Sequence, residues 1–344
     1  MSRWAAVLAG GFGTRFWPVS TSLRPKQMIP LVGTEPLLVD TVRRLNGLIP
    51  DSQVLVVTSR ALVEETRRLL PALPPENVLA EPRAASTAPA LAWATATVRE
   101  RDPDGVVLSL HADWWIGDDD GFRATAARAL EVAAHYDALV VVGIVPSRPD
   151  TEFGYIEPGG YLEDDVSAVG RFTEKPNAAR AAQLVQKGAL WNSGLFAWTV
   201  ARFFAETDAH APEIAPHLSL LADGDVEAYF AAVTPVAIDV SHFERSGRVV
   251  VVPGRFPWDD VGNWAALARV RKADEARNIV VGDAFVRESA DTVVWAEDGP
   301  VVVDGVSGLV VIRANGRVLV TTRERAGNLK RVLEAMPPET RELG

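Results

Sequence analysis

The stretch Leu8–Gln27, LAGGFGTRFWPVSTSLRPKQ, sets Gly10, Gly11 and Gly13 after a short apolar run and follows them with Arg15 and Lys26. Glycines let a backbone turn tightly and approach a ligand that any side chain would hold away. Free backbone N–H groups beside two cations suit phosphate, because fixed dipoles and neutralising charge act together. Spacing separates the known phosphate loops. A Walker loop closes on Gly-Lys-Ser/Thr, and no such tripeptide occurs here. A dinucleotide turn needs a third glycine where Phe16 stands. What remains is a loop whose own Arg15 and Lys26 sit on the ligand, suited to a triphosphate that is cut during the reaction. The plain alternative is that the glycines serve only a tight strand-to-helix turn.

Composition narrows the partners. The 344-residue chain carries a net charge of -10, so broad attraction to nucleic acid is not expected, and an anionic ligand must be held by a local group of Lys and Arg. With no cysteine, disulfides, thiolate catalysis and cysteine-ligated metal centres are excluded. The opening MSRWAAVLAGG is too short an apolar stretch for a signal peptide, and no later run approaches the roughly 20 apolar residues that span a bilayer. A cytoplasmic protein with no membrane segment is expected.

The elements that must position the loop follow in order. Trp4–Leu8 is a continuous apolar run of the kind found in a central parallel strand, with the glycine turn at its carboxyl end. Helical spacing over residues 36–48, 62–70, 87–100 and 122–135 alternates with strand-like 53–58, a short strand ending at Ala80, 106–110 and 138–145. Such alternation predicts an α/β fold with an open parallel sheet whose ligands bind at strand carboxyl ends. Val106–Leu110 runs straight into His111-Ala112-Asp113, which puts an acid at one such end. Asp118, Asp119 and Asp120 are expected to cap the following helix rather than to bind metal. From about Asp150 the alternation becomes irregular, and WNSGLFAW falls in a half that is expected to complete a pocket. Beyond Asn278, six short β-rich pieces and a final helix predict a small β domain. The expected domains are therefore 1–277 and 278–344.

Seven motifs then fall in one order. GGFGTRFWPVS followed by PKQ, EPRAASTAPA at Glu81–Ala90, ADWWI at Ala112–Ile116, FGYIEP at Phe153–Pro158, FTEKP at Phe172–Pro176, WNSGLF at Trp191–Phe196 and WDDVGNW at Trp258–Trp264 closely resemble the sugar-nucleotide pyrophosphorylases. The Trp-Pro and Pro-Lys-Gln ending of the first looks like their mannose-1-phosphate guanylyltransferase branch. The resemblance covers essentially the whole chain. It implies a Rossmann-like, mixed but mostly parallel sheet flanked by helices, of the nucleotide-diphospho-sugar transferase type, with a small C-terminal β domain. Two departures stand out: His111-Ala112-Asp113-Trp114 replaces the usual Pro-Ala-Asp-His, and Gly262-Asn263-Trp264 the usual Gly-Ser-Trp. Longer bacterial members carry a C-terminal sugar-isomerase domain to which nothing before Gly344 corresponds, so the transferase activity alone is implied.

That activity joins GTP and mannose 1-phosphate into GDP-mannose and pyrophosphate, the sugar phosphate attacking the α-phosphorus in line. Two anions must be brought together, so positioning and charge neutralisation dominate. The resemblance makes Asp113 and Asp260 the ligands of Mg²⁺, a hard cation that takes one or two carboxylates plus phosphates and water. It gives Arg15 and Lys26 the phosphates of the nucleotide, and Lys175 the phosphate of the sugar. The nucleotide is expected at Leu8, Gly10, Gly11, Gly13, Thr14, Glu81 and Ser86, with Glu81 a candidate acceptor for guanine N–H groups. Gly154, Tyr155, Glu174, Asn192 and Gly194 form the expected sugar set. Most tryptophans are expected to be structural, and His111 is not needed as a base, because the attacking phosphate is already ionised. A pyrophosphorylase for another sugar 1-phosphate or nucleotide, and a silent sugar-nucleotide-binding subunit, are the alternatives. The β domain is open to two uses, homodimerisation or closure over the active site.

Overall fold

A computed structural model of the chain describes residues 1–11 and 14–341. Its strands are β1 (Arg3–Leu8), β2 (Val54–Ser59), β3 (Val78–Glu81), β4 (Val106–His111), β5 (Trp115–Ile116), β6 (Leu139–Ile144), β7 (Tyr155–Glu163), β8 (Val166–Thr173), β9 (Leu190–Thr199), β10 (Val249–Gly254), β11 (Trp258–Asp259), β12 (Ile279–Arg287), β13 (Val293–Asp304), β14 (Leu309–Ala314) and β15 (Arg317–Thr322). Two compact units emerge that do not follow chain order. The first holds Met1–Gly10, Val42–Ala112 and Asp118–Pro257; the second holds Gly11–Thr41, Asp113–Gly117 and Trp258–Gly344.

The first unit is built on a nine-stranded sheet in the order β3-β2-β1-β4-β9-β6-β10-β8-β7. Strands β3, β2, β1 and β4 are mutually parallel, as are β6 and β10, and the central ones read as near-continuous valine, leucine and alanine. That composition is expected where helices cover both faces. The helix Thr87–Arg101 lays Ala88, Leu91, Ala92 and Val98 into the same core as Leu55, Val107, Phe196 and Trp198. Each large apolar side chain buried there contributes on the order of 1.5–3 kcal/mol relative to solvent exposure.

The mixed, mostly parallel α/β sheet agrees with expectation, with one difference. WNSGLFAW is not part of an irregular insertion; it is β9, central in the sheet and antiparallel to both β4 and β6. Trp198 and Phe196 anchor it in the core, while its amino-terminal half brings Asn192 beside Gly143, near the carboxyl end of β6.

The second unit contains the short β5/β11 pair and a four-stranded sheet β12-β13-β14-β15, parallel except for the last pair. Six expected β pieces are thus four strands, because β12 runs on through Gly282 at φ +83°, where its register to β13 shifts, and Gly299 continues β13. The core of this unit joins Phe16, Trp17 and Ile29 to Trp264, Trp295 and Ile312. Trp264 stands edge-on to Phe16 at 5.0 Å and donates from Nε1 to the Trp17 carbonyl at 3.0 Å. Trp17 and Trp264 are accordingly structural, and they fix the chain on either side of the motifs that carry Lys26 and Asp260.

Candidate active site

Lys26 is the centre of the polar group in the second unit. It opens a short 3-10 turn after Pro25, and only 6% of its surface is exposed. Its Nζ lies 3.0 Å from Asp113 Oδ2 and also donates to the backbone carbonyl of Asp260. Burial pushes the Asp260 carboxyl upward; Lys26 and Arg15 pull it down, and Asp259 and Asp113 raise it further. Arg15 is exposed, and a Cβ on Gly262 would stand 2.8 Å from Asp260 Oδ2 and 3.3 Å from Arg15 Nη1. Gly262 therefore leaves the guanidinium and the carboxylate free to share one small volume. Four of the five expected catalytic residues, Arg15, Lys26, Asp113 and Asp260, belong to this unit. Gly11 is exposed, and its carbonyl accepts from Gln27 Nε2 at 3.1 Å, which ties the glycine turn to the Pro-Lys-Gln segment. Thr14 begins the 3-10 turn Thr14–Phe16. Gly13 lies outside the described residues.

Asp259 and Asp260 have separate duties. Asp259 is buried, takes both Nε and Nη2 of Arg269 at 2.6 and 2.8 Å, and accepts the Val261 N–H at 2.9 Å. Val261 holds φ +46°, a left-handed conformation that a β-branched side chain rarely adopts. Such a dihedral costs of order 1–3 kcal/mol and persists only where surrounding contacts over-determine it. The two motif departures are also explained locally. Trp114 is buried and packs edge-on against Trp258 at 6.1 Å, and the Asn263 side chain caps the turn Trp264–Ala266 by accepting from the Ala266 N–H at 3.3 Å. Among the described residues no group of three or more His, Asp or Glu is placed to hold a metal ion.

In the first unit the nucleotide-side residues gather at strand ends. Leu8 closes β1, and its carbonyl accepts the Ala112 N–H at 2.9 Å. Glu81 closes β3, and a Cβ on Gly10 would meet its Oε2 at 3.1 Å, so glycine is what admits the carboxyl there. Burial raises the Glu81 carboxyl to about 7. Ser86, at φ 68°, precedes the helix Thr87–Arg101 without capping it through its side chain. The acids that precede the next long helix behave as expected: Asp118 accepts from the Asp120 and Gly121 N–H groups.

Four of the five sugar-side residues come together in the same unit. The Asn192 N–H donates to the Gly154 carbonyl at 2.8 Å, the Gly194 N–H donates to Asn192 Oδ1 at 3.0 Å, and a Cβ on Gly154 would stand 2.7 Å from Glu174 Oε2. Tyr155 differs: its ring is wholly buried, and its hydroxyl donates to the Asp150 carbonyl at 2.9 Å while accepting the Asp150 N–H at 2.8 Å. Its hydroxyl is thus tied to the Asp150 backbone as both donor and acceptor. Lys175, at φ 39°, pairs with Glu174 at 3.0 Å, both side chains being more than half exposed. Sequence reasoning missed Asp239, whose Oδ1 accepts from Asn192 Nδ2 at 2.7 Å. No motif flagged it, because it is a lone acid in AIDVSHF with a partner 47 positions away.

A buried lysine tied to a carboxylate, with an arginine beside a second and a glycine turn on the same unit, defines an enzyme that handles nucleotide phosphates. The chain belongs to the nucleotidyl transferase family, which it matches over residues 4–277, and residues 282–336 match the MannoseP isomerase/GMP-like beta-helix domain. It is 36% identical to the mannose-1-phosphate guanylyltransferase of Escherichia coli (strain K12), across 97% of this chain and 73% of that protein. It also resembles the crystal structure of a mannose-1-phosphate geranyltransferase from Thermus thermophilus, with a TM-score of 0.90 and 36% identity over 97% of this chain and 99% of that one. A glucose-1-phosphate thymidylyltransferase structure from Bacillus anthracis shares the fold at a TM-score of 0.52 and 16% identity, over 78% of this chain and 94% of that chain. No helix among the described residues is long and apolar enough to cross a membrane.

Proposed function

We propose that this nucleotidyltransferase moves GMP from GTP to mannose 1-phosphate, giving GDP-mannose and pyrophosphate. The observation that carries the proposal is the buried Lys26 held against Asp113 and the Asp260 carbonyl, in a family whose relatives bear that enzyme's name. An oxygen of the sugar phosphate forms the new bond to the α-phosphorus as the bond to pyrophosphate breaks. The attacking oxygen is already ionised, so no general base is required, and His111 is left without a catalytic part.

Arg15 presents a planar fork that matches phosphate oxygens two at a time, and it takes the charge that builds on the departing pyrophosphate. Lys26 supplies a fixed positive charge that costs no reorganisation when the reaction occurs. Lys175 receives the phosphate of the sugar. Its pairing with Glu174 is between exposed groups, worth about 0–1 kcal/mol, so an incoming phosphate displaces it at little cost. Glu174 and Asn192 accept and donate to ring hydroxyls, and Glu81 with the Leu8–Gly10 backbone reads the base.

The residues fit a divalent cation. Asp260 is a carboxylate raised by its own burial and by neighbouring acids, which is the balance a cation reverses. Two carboxylates suit Mg²⁺, which keeps several waters and substrate phosphates. Asp113 and Asp260 would hold it, and it would neutralise phosphate charge and align the reacting groups. We take residues 1–277 as the catalytic domain and 278–344 as the β-rich domain, supported by where the two family matches fall.

Pyrophosphate release is the test, measured with Mg²⁺, each of four nucleoside triphosphates and a panel of sugar 1-phosphates. GTP with mannose 1-phosphate should be the preferred pair, and preference for any other pair would refute the assignment. Asp113→Asn and Asp260→Asn should each abolish turnover while circular dichroism stays unchanged. Near wild-type rates in either would show that the acids are wrongly assigned.

A further inference from the structure

The amide of Asn192 can point only one way. Its Oδ1 accepts the Gly194 N–H at 3.0 Å, and its Nδ2 donates to Asp239 Oδ1 at 2.7 Å. An N–H cannot accept and a carboxylate cannot donate, so exchanging the oxygen and nitrogen would break both bonds at once. One Nδ2 hydrogen and one Oδ1 lone pair are left over in fixed positions. We propose that Asp239 is a positioning residue that fixes the Asn192 amide, and through it the configuration of sugar hydroxyl that the site accepts. The inference rests on the assignment of Asn192 to the sugar of the proposed reaction.

Asp239 is itself held on both sides. Before it, the Ile238 N–H donates to Thr87 Oγ1 at 2.8 Å, and the Ala88 N–H to the Val236 carbonyl at 3.1 Å. After it, the π-helical turn Asp239–Phe243 closes with the Glu244 N–H on the Asp239 carbonyl at 2.8 Å. Phe243 stacks on Phe196 of β9 at 4.1 Å, so the turn is packed onto the strand that carries Asn192. Single π-helical turns are rare and gather at functional sites, where they re-aim a side chain.

Glu244 lies near enough to both Asp239 and Glu174 to feel their charge, and Glu174 and Glu244 line a cavity of about 440 Å³ together with Arg171. A site built to hydrogen-bond a hydroxyl rejects the isomer that leaves its buried polar groups unpaired.

The test compares Asp239→Ala and Asp239→Asn in steady-state assays with GTP, Mg²⁺ and the 1-phosphates of mannose, glucose and galactose. Asp239→Ala should raise KM for the preferred sugar about 10-fold and reduce discrimination between epimers about fivefold, leaving KM for GTP within about twofold. Asp239→Asn keeps an acceptor for Asn192 and should restore the preferred sugar's KM to within about threefold of wild type. An Asp239→Ala enzyme with unchanged sugar KM and unchanged discrimination overturns the inference. So does an Asp239→Asn enzyme as impaired as the alanine variant, since charge rather than orientation would then matter. If the alanine variant fails to fold, Asp239→Ser, too short to reach Nδ2, takes its place with the same expectations. Wild-type enzyme that turns over none of the three sugars refutes the proposed function, whereas wild type preferring glucose or galactose 1-phosphate moves the same comparison to that sugar.

Discussion

Replacing Lys26 by Met keeps most of the aliphatic stem and removes the charge. Deleting one partner of a fully buried ion pair costs about 3–5 kcal/mol, and deleting one of an exposed pair costs about 0–1. Lys26 is 8% exposed and Asp113 40% exposed at the side chain, so the pair falls between these limits, and the loss should be about 2 kcal/mol. The Asp260 carbonyl also loses its donor, which adds roughly 1 kcal/mol. At about 2–4 °C per kcal/mol for a domain of ordinary size, the melting midpoint should fall by roughly 6–12 °C. The sign with pH follows from Asp260, whose carboxyl is raised by burial and held down chiefly by Lys26. An acid raised in the folded state contributes stability that is complete below its unfolded value and is lost as pH rises through its folded one. Without Lys26 that loss deepens, so the deficit of Lys26→Met should be larger at pH 8 than at pH 5.5. Adding Asp113→Asn, which removes the carboxylate that has lost its Lys26 ion pair, should recover part of the midpoint at pH 8. Turnover should fall about 10²–10³-fold. Calorimetry of metal-free protein at the two pH values checks the stability claims, and the pyrophosphate assay checks turnover. Equal midpoints for Lys26→Met and wild type at both pH values, or a double variant no more stable than the single one at pH 8, would refute the reasoning.

Gly262→Ala would press a methyl against Asp260 Oδ2 and Arg15 Nη1, so kcat should drop about 10-fold or more with the midpoint within about 2 °C; an unchanged kcat would show that the crowding is harmless. For Glu81→Gln, the wild-type carboxyl moves from 4.5 to about 7 on folding, so its stabilising contribution is complete below about 4.5 and lost as pH rises through about 7. After discounting for partial exposure, the glutamine variant should be about 1–2 kcal/mol more stable than wild type at pH 8 and equal to it near pH 4.5, in urea titrations. If Glu81 also reads guanine, the same variant should raise KM for GTP, and no change in KM would remove it from the base.

The sheet was legible where strands were long, apolar and followed by helices, as at Val106–His111 and Leu139–Ile144. WNSGLFAW escaped because a strand buried on both faces shows no alternation, and its place between β4 and β6 depends on partners 47 to 93 positions away. Glycine misled in the β-rich stretch: Gly282 and Gly299 look like turn residues, yet one lies within β12 at a register shift and the other within β13. The phosphate and carboxylate candidates were nameable from the sequence because each sits in a contiguous motif. Asp239 was not, since its meaning is a single hydrogen bond to Asn192 that local pattern cannot express.

Backbone strain was equally invisible. Most non-glycine residues at positive φ here are Asp, Asn, Arg or Glu in ordinary turns, but Ser86, Lys175 and Val261 stand in the loops assigned to nucleotide, sugar phosphate and metal. In WDDVGNW the natural guess places the left-handed residue at Gly262, and the chain instead puts Val261 there, wholly buried. That choice has a consequence for chemistry. Turning the chain at Val261 leaves Asp259 with Arg269 and the Val261 N–H, while Asp260 sits close to Arg15 and offers its carbonyl to Lys26. A glycine at 261 would relieve the dihedral but free the turn that keeps the two acids apart, and a glycine at 262 is still required for the close approach of Arg15. The strain is therefore the means by which two adjacent, identical side chains acquire different roles, one structural and one assigned to the metal.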